Sequence, residues 1–209
     1  MLRIIITIII SGLVVLTGAM NNEVLFDQKN LVLNQKDGMT TVAMSGCVQA
    51  FEIGAPSVPI KAIHLVVPQD VKVTGVRIEE VQSNNLPGEY EIYPVQGAMS
   101  LSDQNPTRFV SPNPTYYGAF DYPKKIMSIG YQGSVFGYNI VSLFVSPVQF
   151  NASLKQLKFN SKIRFSLEFE SAELKNQPPG YRSPEARHQI EAMLAKFVHN
   201  PEDLSQYAP

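Results

Sequence analysis

Cys47 and His64 are the residues whose chemistry would matter most if this chain were an enzyme. A thiolate made nucleophilic by an imidazole attacks carbonyl carbon, and the 209 residues offer one cysteine and three histidines for such a pair. Their surroundings argue otherwise. His64 lies in the apolar run Ile60 to Val67 and reads as a histidine hydrogen-bonded in a core. Cys47 has no suitably spaced partner and reads as a small buried hydrophobe. His188 and His199 flank a helical stretch, with no carboxylate or cysteine at metal-ligand spacing. No Gly-x-Ser-x-Gly, phosphate loop or Cys-His signature accompanies them. Asn151-Ala152-Ser153 fits a glycosylation sequon, a three-residue pattern that chance supplies readily. The sequence therefore points to no catalytic residue, no metal ligand and no cofactor. Arg108, the one basic residue in the polar, Pro-rich stretch 97–115, reads on its own as a solvated arginine on a long loop.

Composition narrows the classes further. A formal net charge of −1 leaves no electrostatic case for a nucleic-acid partner. Pro (15) and Gly (13) are plentiful, charged residues are 17 % and Trp is absent, which suits a turn-rich β protein better than a helical one. Met1-Leu2-Arg3 followed by the apolar run Ile4 to Leu16 and small residues Thr17-Gly18-Ala19 reads as a signal peptide, residues 1–19, cleaved after Ala19. The run is short of the ~20 residues a membrane span needs. No later stretch is long and apolar enough to cross a membrane as a helix. The export signal makes the expected location secreted, periplasmic or extracellular. The single cysteine cannot form a disulfide within the chain.

Periodicity supplies the elements that must position any site. Residues 20–30 are polar and read as a loose leader. Leu31 to Leu33 and Thr40 to Ala50 read as strands around the Asp37-Gly38 hairpin turn. Pro56 and Pro59 preset extended geometry for the strand after them. That strand is apolar on both faces: Ile63, Leu65 and Val67 on one, Ile60, Ala62 and Val66 on the other with His64 among them. Such a strand is central in a sheet covered on both sides. Val71 to Val81 changes phase at Gly75, as a bulge would require. Tyr90 to Val95 reads as an edge strand interrupted by Pro94. Lys125 to Tyr131, Tyr138 to Pro147 and Lys155 to Glu170 complete the set, the last with Ile163, Phe165, Leu167 and Phe169 facing a core and Lys162, Arg164, Ser166 and Glu168 facing water. The expected fold is an all-β antiparallel sandwich over residues 31–170. Residues 171–209 follow as a linker and one amphipathic helix. Ser183-Pro184-Glu185 starts the helix, and Ile190, Met193, Leu194, Phe197 and Val198 form a stripe along ~15 residues ending at Asn200-Pro201. One such helix cannot bury its stripe alone. It must lie on the sandwich or on something the chain does not contain.

Gly54-Ala55-Pro56-Ser57-Val58-Pro59, a strand and Val67-Pro68 resemble the start of the propeptide of gingipain-type cysteine peptidases. So do Tyr117 through Tyr122-Pro123, Gly133, Gly137-Tyr138 and Val145-Ser146-Pro147-Val148-Gln149-Phe150, then Leu154, Leu157 and Phe165 to Phe169. The tail Asn200-Pro201-Glu202-Asp203-Leu204 with Tyr207 resembles the junction before a caspase-like catalytic domain. The resemblance covers about residues 30–170 and implies a β-sandwich that assists folding of a peptidase and keeps it latent by covering its cleft. The implied partner is that catalytic domain, in cis, expected beyond Pro209 and with it the catalytic Cys and His. The resemblance implies a basic latch residue, for which the long loop and its lack of other basic residues point to Arg108. The maturation cut is expected in the linker at Arg182, beside Gly180-Tyr181, with Arg187 and Lys196 as alternatives.

Two rivals stand beside it. One is a secreted cell-surface or carbohydrate-binding sandwich, holding a ligand at loop 97–115 with Phe109, Tyr116 and Tyr117. The other is a hydrolase using Cys47 and His64.

Overall fold

The structure is a computed structural model that describes residues 22–97, 109–172 and 183–207. The expected signal peptide 1–19, Arg108 and Arg182 lie outside the described residues. Among the described residues ten strands precede one α-helix: β1 (Asn22–Leu25), β2 (Leu31–Lys36), β3 (Met39–Met44), β4 (Val48–Gln49), β5 (Pro59–Val66), β6 (Val71–Asn85), β7 (Met127–Val135), β8 (Tyr138–Val145), β9 (Val148–Asn151), β10 (Gln156–Ser171), then α1 (Pro184–Leu194). They form an antiparallel β-sandwich, as expected. In the first sheet β10 pairs with β6 along one side and with β9 and β1, end to end, along the other. The second sheet runs β4-β5-β8-β7, and β2-β3 is a separate hairpin. Its turn follows the expected chemistry, with Asp37 at φ 52° and Gly38 at φ 79°.

The alternation in β10 organises the core. Ile163, Phe165, Leu167 and Phe169 pack against Ile63, Leu65, Val141, Leu143 and Val145 of the second sheet. Beneath the hairpin, Val42, Met44, Ile92, Phe150, Leu157 and Phe159 build a second cluster. Lys162, Arg164 and Glu168 stay at the surface in ion pairs with Glu23, Glu80 and Arg77. Ser166, expected toward water, is buried, because its hydroxyl donates to Glu79 at 2.7 Å. The bulge arises where expected: Gly75 faces Glu168 while Val73 faces Phe169, leaving Thr74 unmatched.

Other expectations need correction. Residues 22–25, expected in a polar leader, form a strand on β10, because Val24 meets the core while Glu23 and Leu25 point outward. Tyr90 to Val95 makes no strand. Its contacts are isolated bridges, Thr40 with Ile92 and Pro56 with Pro94, and proline offers no N–H to extend a ladder. β9 was hidden inside a segment without alternation, since Val148, Gln149 and Phe150 are all buried.

The helix is shorter than its stripe. Ser183 caps it, its Oγ accepting from Ala186 N at 3.2 Å, but regular turns end at Leu194. The chain then leaves helical geometry so that His199 N can donate to the His64 carbonyl at 2.7 Å. Asn200 goes on to clamp the same strand: Val66 N donates to its Oδ1 and its Nδ2 donates to Val66 O, both at 2.8 Å. A 3-10 helix at Pro201–Gln206 delivers Tyr207 onto Tyr138, with ring centroids 4.8 Å apart. Its hydroxyl donates to Val67 O, and burial pushes it up to about 12. Leu194, Val198, Leu204 and Tyr207 thus cover Val66 and Ile140, so the C-terminal end of β5 is covered on both faces. The helix lies on the sandwich.

Candidate functional site

Neither cysteine nor histidine forms a reactive centre. Cys47, between β3 and β4, packs half-buried against the second cluster, and burial raises its thiol above the ordinary cysteine range. His64 Nδ1 lies 2.8 Å from Ser142 Oγ, its ring stacks on Phe197 at 4.1 Å, and burial lowers its affinity for a proton. His188 is exposed on α1, and His199 Nε2 is 2.8 Å from the Glu23 carbonyl. No cluster of metal-ligating residues exists among the described residues. Alkylation of Cys47 by iodoacetamide at neutral pH is expected to be at least about tenfold slower in the folded chain than in urea, since the thiolate is the nucleophile. Equal rates would reopen the hydrolase reading.

The built feature is the base of the loop that carries Arg108. Gln96 Nε2 donates to Pro94 O at 2.9 Å and to Val110 O at 3.1 Å, while its Oε1 accepts from Val110 N at 2.9 Å. Gly54 joins both sides, its N donating to Val95 O at 2.8 Å and its O accepting from Asn113 N at 2.9 Å. Phe109 sets its ring against Tyr93 edge-on at 5.7 Å. The two ends of the segment 98–108 are therefore pinned side by side, and the residue after Arg108 is anchored.

The aromatic residues near that loop are mostly committed. Tyr117 OH donates to Ile92 O at 2.7 Å, and burial raises its pKa. Tyr116 meets Tyr122 edge-on, and Tyr122 OH donates to Glu52 Oε2 at 2.6 Å. Only Phe109 of the three proposed ligand-holding rings is largely exposed, at 45 %. A platform of stacked rings for a sugar is not what these residues make.

Beside the loop base lies an open cleft of about 420 Å³ whose walls include Phe51, Ile60, Tyr116, Phe120 and Phe144. Phe51 leans on Phe144 at 5.6 Å. Phe144 in turn packs against Gly130 of β7, where a Cβ would come 2.7 Å from its ring. Lys124 sits over the Phe120 ring at 4.3 Å.

Among known proteins, the family profile Propeptide_C25 matches residues 20–184. The chain belongs to the C25 peptidase propeptide family. The propeptide is 29 % identical over 161 residues to Lys-gingipain of Porphyromonas gingivalis, and the same holds for that protein in strain W83. The match takes in 71 % of this chain but 9 % of Lys-gingipain, so the propeptide corresponds to a small part of its curated relative. It is a propeptide that is matched, not a catalytic domain. Two solved structures share the fold. A complex of Porphyromonas gingivalis RgpB pro- and mature domains superposes with a TM-score of 0.67 at 17 % identity, over 87 % of this chain and 91 % of that one. A structure addressing zymogenic latency of gingipain K gives 0.55 at 21 %, over 73 % and 100 %.

Sequence reasoning found the loop but not its clamp. Gln96 carries no signal that separates it from other polar loop residues. In the sequence Asn200 and Tyr207 read as a helix stop and a tail motif, yet they fix the C-terminal segment to β5.

Proposed function

We propose that this propeptide is an exported intramolecular chaperone and latency inhibitor of a gingipain-type cysteine peptidase domain carried in cis. Residues 1–19 serve as the signal peptide, and the protein acts in the periplasm or outside the cell. The observation that carries the reading is the pinned base, where Gln96 holds Val110 and Phe109 meets Tyr93 on either side of the segment whose single cation is Arg108. Fixing the two residues that flank a segment, Gln96 and Val110, lowers part of the entropy cost of binding through it. Arg108 enters the specificity pocket of the peptidase and occupies it without being turned over. Sharing one chain raises the effective concentration to the millimolar range of short linkers, so a cut between the domains weakens inhibition.

The maturation cut falls at Arg182. Of the alternatives, Arg187 is held by Glu191 Oε1 at 2.7 Å and by the Tyr207 carbonyl at 2.6 Å. Lys196 lies in the turn after α1, and cleavage there would require that turn to open. Because residues 183–207 are docked on β5, incubation with an arginine-specific peptidase is expected to give two fragments on a denaturing gel and one species on size exclusion. An intact Arg182–Ser183 bond would move the cut elsewhere.

The direct test of the chaperone role is production of the precursor with and without the sandwich. The complete precursor is expected to be soluble and latent, and the version lacking residues 20–172 to aggregate. An equally soluble peptidase without the sandwich overturns it.

A further inference from the structure

The register of β5 and β8 sets three rows on the outer face of the second sheet: Val66 beside Ile140, His64 beside Ser142, and Ala62 beside Phe144. The first row is buried by the chain's own C-terminal segment, and the second lies under the Phe197 ring. The third is uncovered. Ala62 is exposed and Phe144 half-buried, and Phe51 (58 % exposed) and Ile53 (56 %) extend the apolar surface along the β4–β5 connection. Large apolar side chains held this far out in one patch mark a surface that meets something.

We propose that this uncovered half of the sheet face is the seat of the peptidase domain, an inference that rests on the inhibitory reading above. The surface continues one that the chain already buries: residues 183–207 cross the same face and bring Tyr207 to its covered end, so a domain joined to them sets out beside it. At the other end, a Cβ on Gly97 would sit 3.8 Å from Ile53 Cδ1, which puts the root of the Arg108 loop at the margin of the patch. One domain can therefore take the loop and the patch together. Its chemistry is also specified. Lys124 and Lys125 line the cleft at the patch, while the nearby carboxylate of Glu52 is engaged by the Tyr122 hydroxyl. The matching surface is apolar and fringed with carboxylates, and the cleft between Phe51 and Phe120 accepts one of its apolar side chains.

The experiment measures binding of the separately produced chain to the peptidase domain of the same precursor, its catalytic cysteine replaced by alanine. Phe51→Asp with Ile53→Asp is expected to weaken binding at least about 30-fold, the loss that marks central interface anchors. Its melting temperature should stay within a few degrees, because both side chains are exposed. As a second readout, Ala62→Cys in a Cys47→Ser background, carrying a photoreactive maleimide, is expected to crosslink to the peptidase domain. Wild-type affinity in the double variant together with no crosslink overturns the proposal while leaving the inhibitory reading intact. A wild-type chain that does not bind at all overturns the inhibitory reading itself. A chain that dimerises alone, and loses the dimer with Phe51→Asp, shows that a second copy covers the patch and overturns the assignment to the peptidase.

Discussion

Asn200→Ala is expected to cost about 2–4 kcal/mol, because the Val66 N–H and C=O it satisfies would both be left buried and unpaired. Asn200 is 2 % exposed, so water does not replace the lost partner without the segment lifting off. At this chain size each kcal/mol lowers a melting midpoint by about 2–4 °C. The loss should be local first. Hydrogen exchange at His199 and through residues 183–207 is expected to rise before that of β10, since the segment is the part of the fold held from one side. Tyr207→Phe, which removes the hydroxyl that donates to Val67 O and accepts from Asn139 N at 2.8 Å, should show the same pattern at a cost of about 2 kcal/mol. Uniform exchange across the sandwich in Asn200→Ala would mean that the segment and the sheets unfold as one unit.

Arg108→Ala is expected to lower affinity for the peptidase by a factor of about 30 to several thousand, the range for truncating one partner of a buried, hydrogen-bonded charge pair. Arg108→Lys should recover part of the loss if the pocket tolerates an ammonium, and little if it grips both arms of a guanidinium. Gln96→Ala separates the latch from its support. It removes the three hydrogen bonds that pin Pro94 and Val110, and is expected to weaken inhibition with no change in what the pocket reads. An Arg108→Ala chain that inhibits as well as wild type would show that the loop is not the latch.

The alternating Ile163, Phe165, Leu167 and Phe169 announce a half-buried strand, Asp37-Gly38 announces a hairpin, and the two-sided apolar run at β5 announces a covered strand. Each is a local pattern whose meaning does not depend on distant residues. What covers β5 is another matter. That Asn200 meets Val66 and Phe197 meets His64 depends on contacts far apart in the chain, for which no periodicity exists. The same reason hid β9: a strand buried on both faces loses the alternation that identifies strands. It also misplaced Ser166, whose burial is set by Glu79 on a neighbouring strand. The loop 97–115 was legible as a loop from its prolines, but its pinned base rests on one glutamine. Tyr116 and Tyr117 looked available because sequence shows an aromatic ring and not its hydroxyl's partner. For Arg108 and Arg182 the resemblance supplies the role, and the long loop with one basic residue and the Pro-Gly linker supply the positions.

The central claim is that this propeptide holds a peptidase inactive. The most direct measurement titrates the chain, produced alone, against the active peptidase domain read from the same gene, using a small synthetic substrate. Inhibition with a Kd below about 1 μM, a binding free energy beyond about −8 kcal/mol, is expected. Inhibition should also weaken when Arg108 is replaced. Full peptidase activity at micromolar propeptide, or a gene that encodes no such domain, would contradict it.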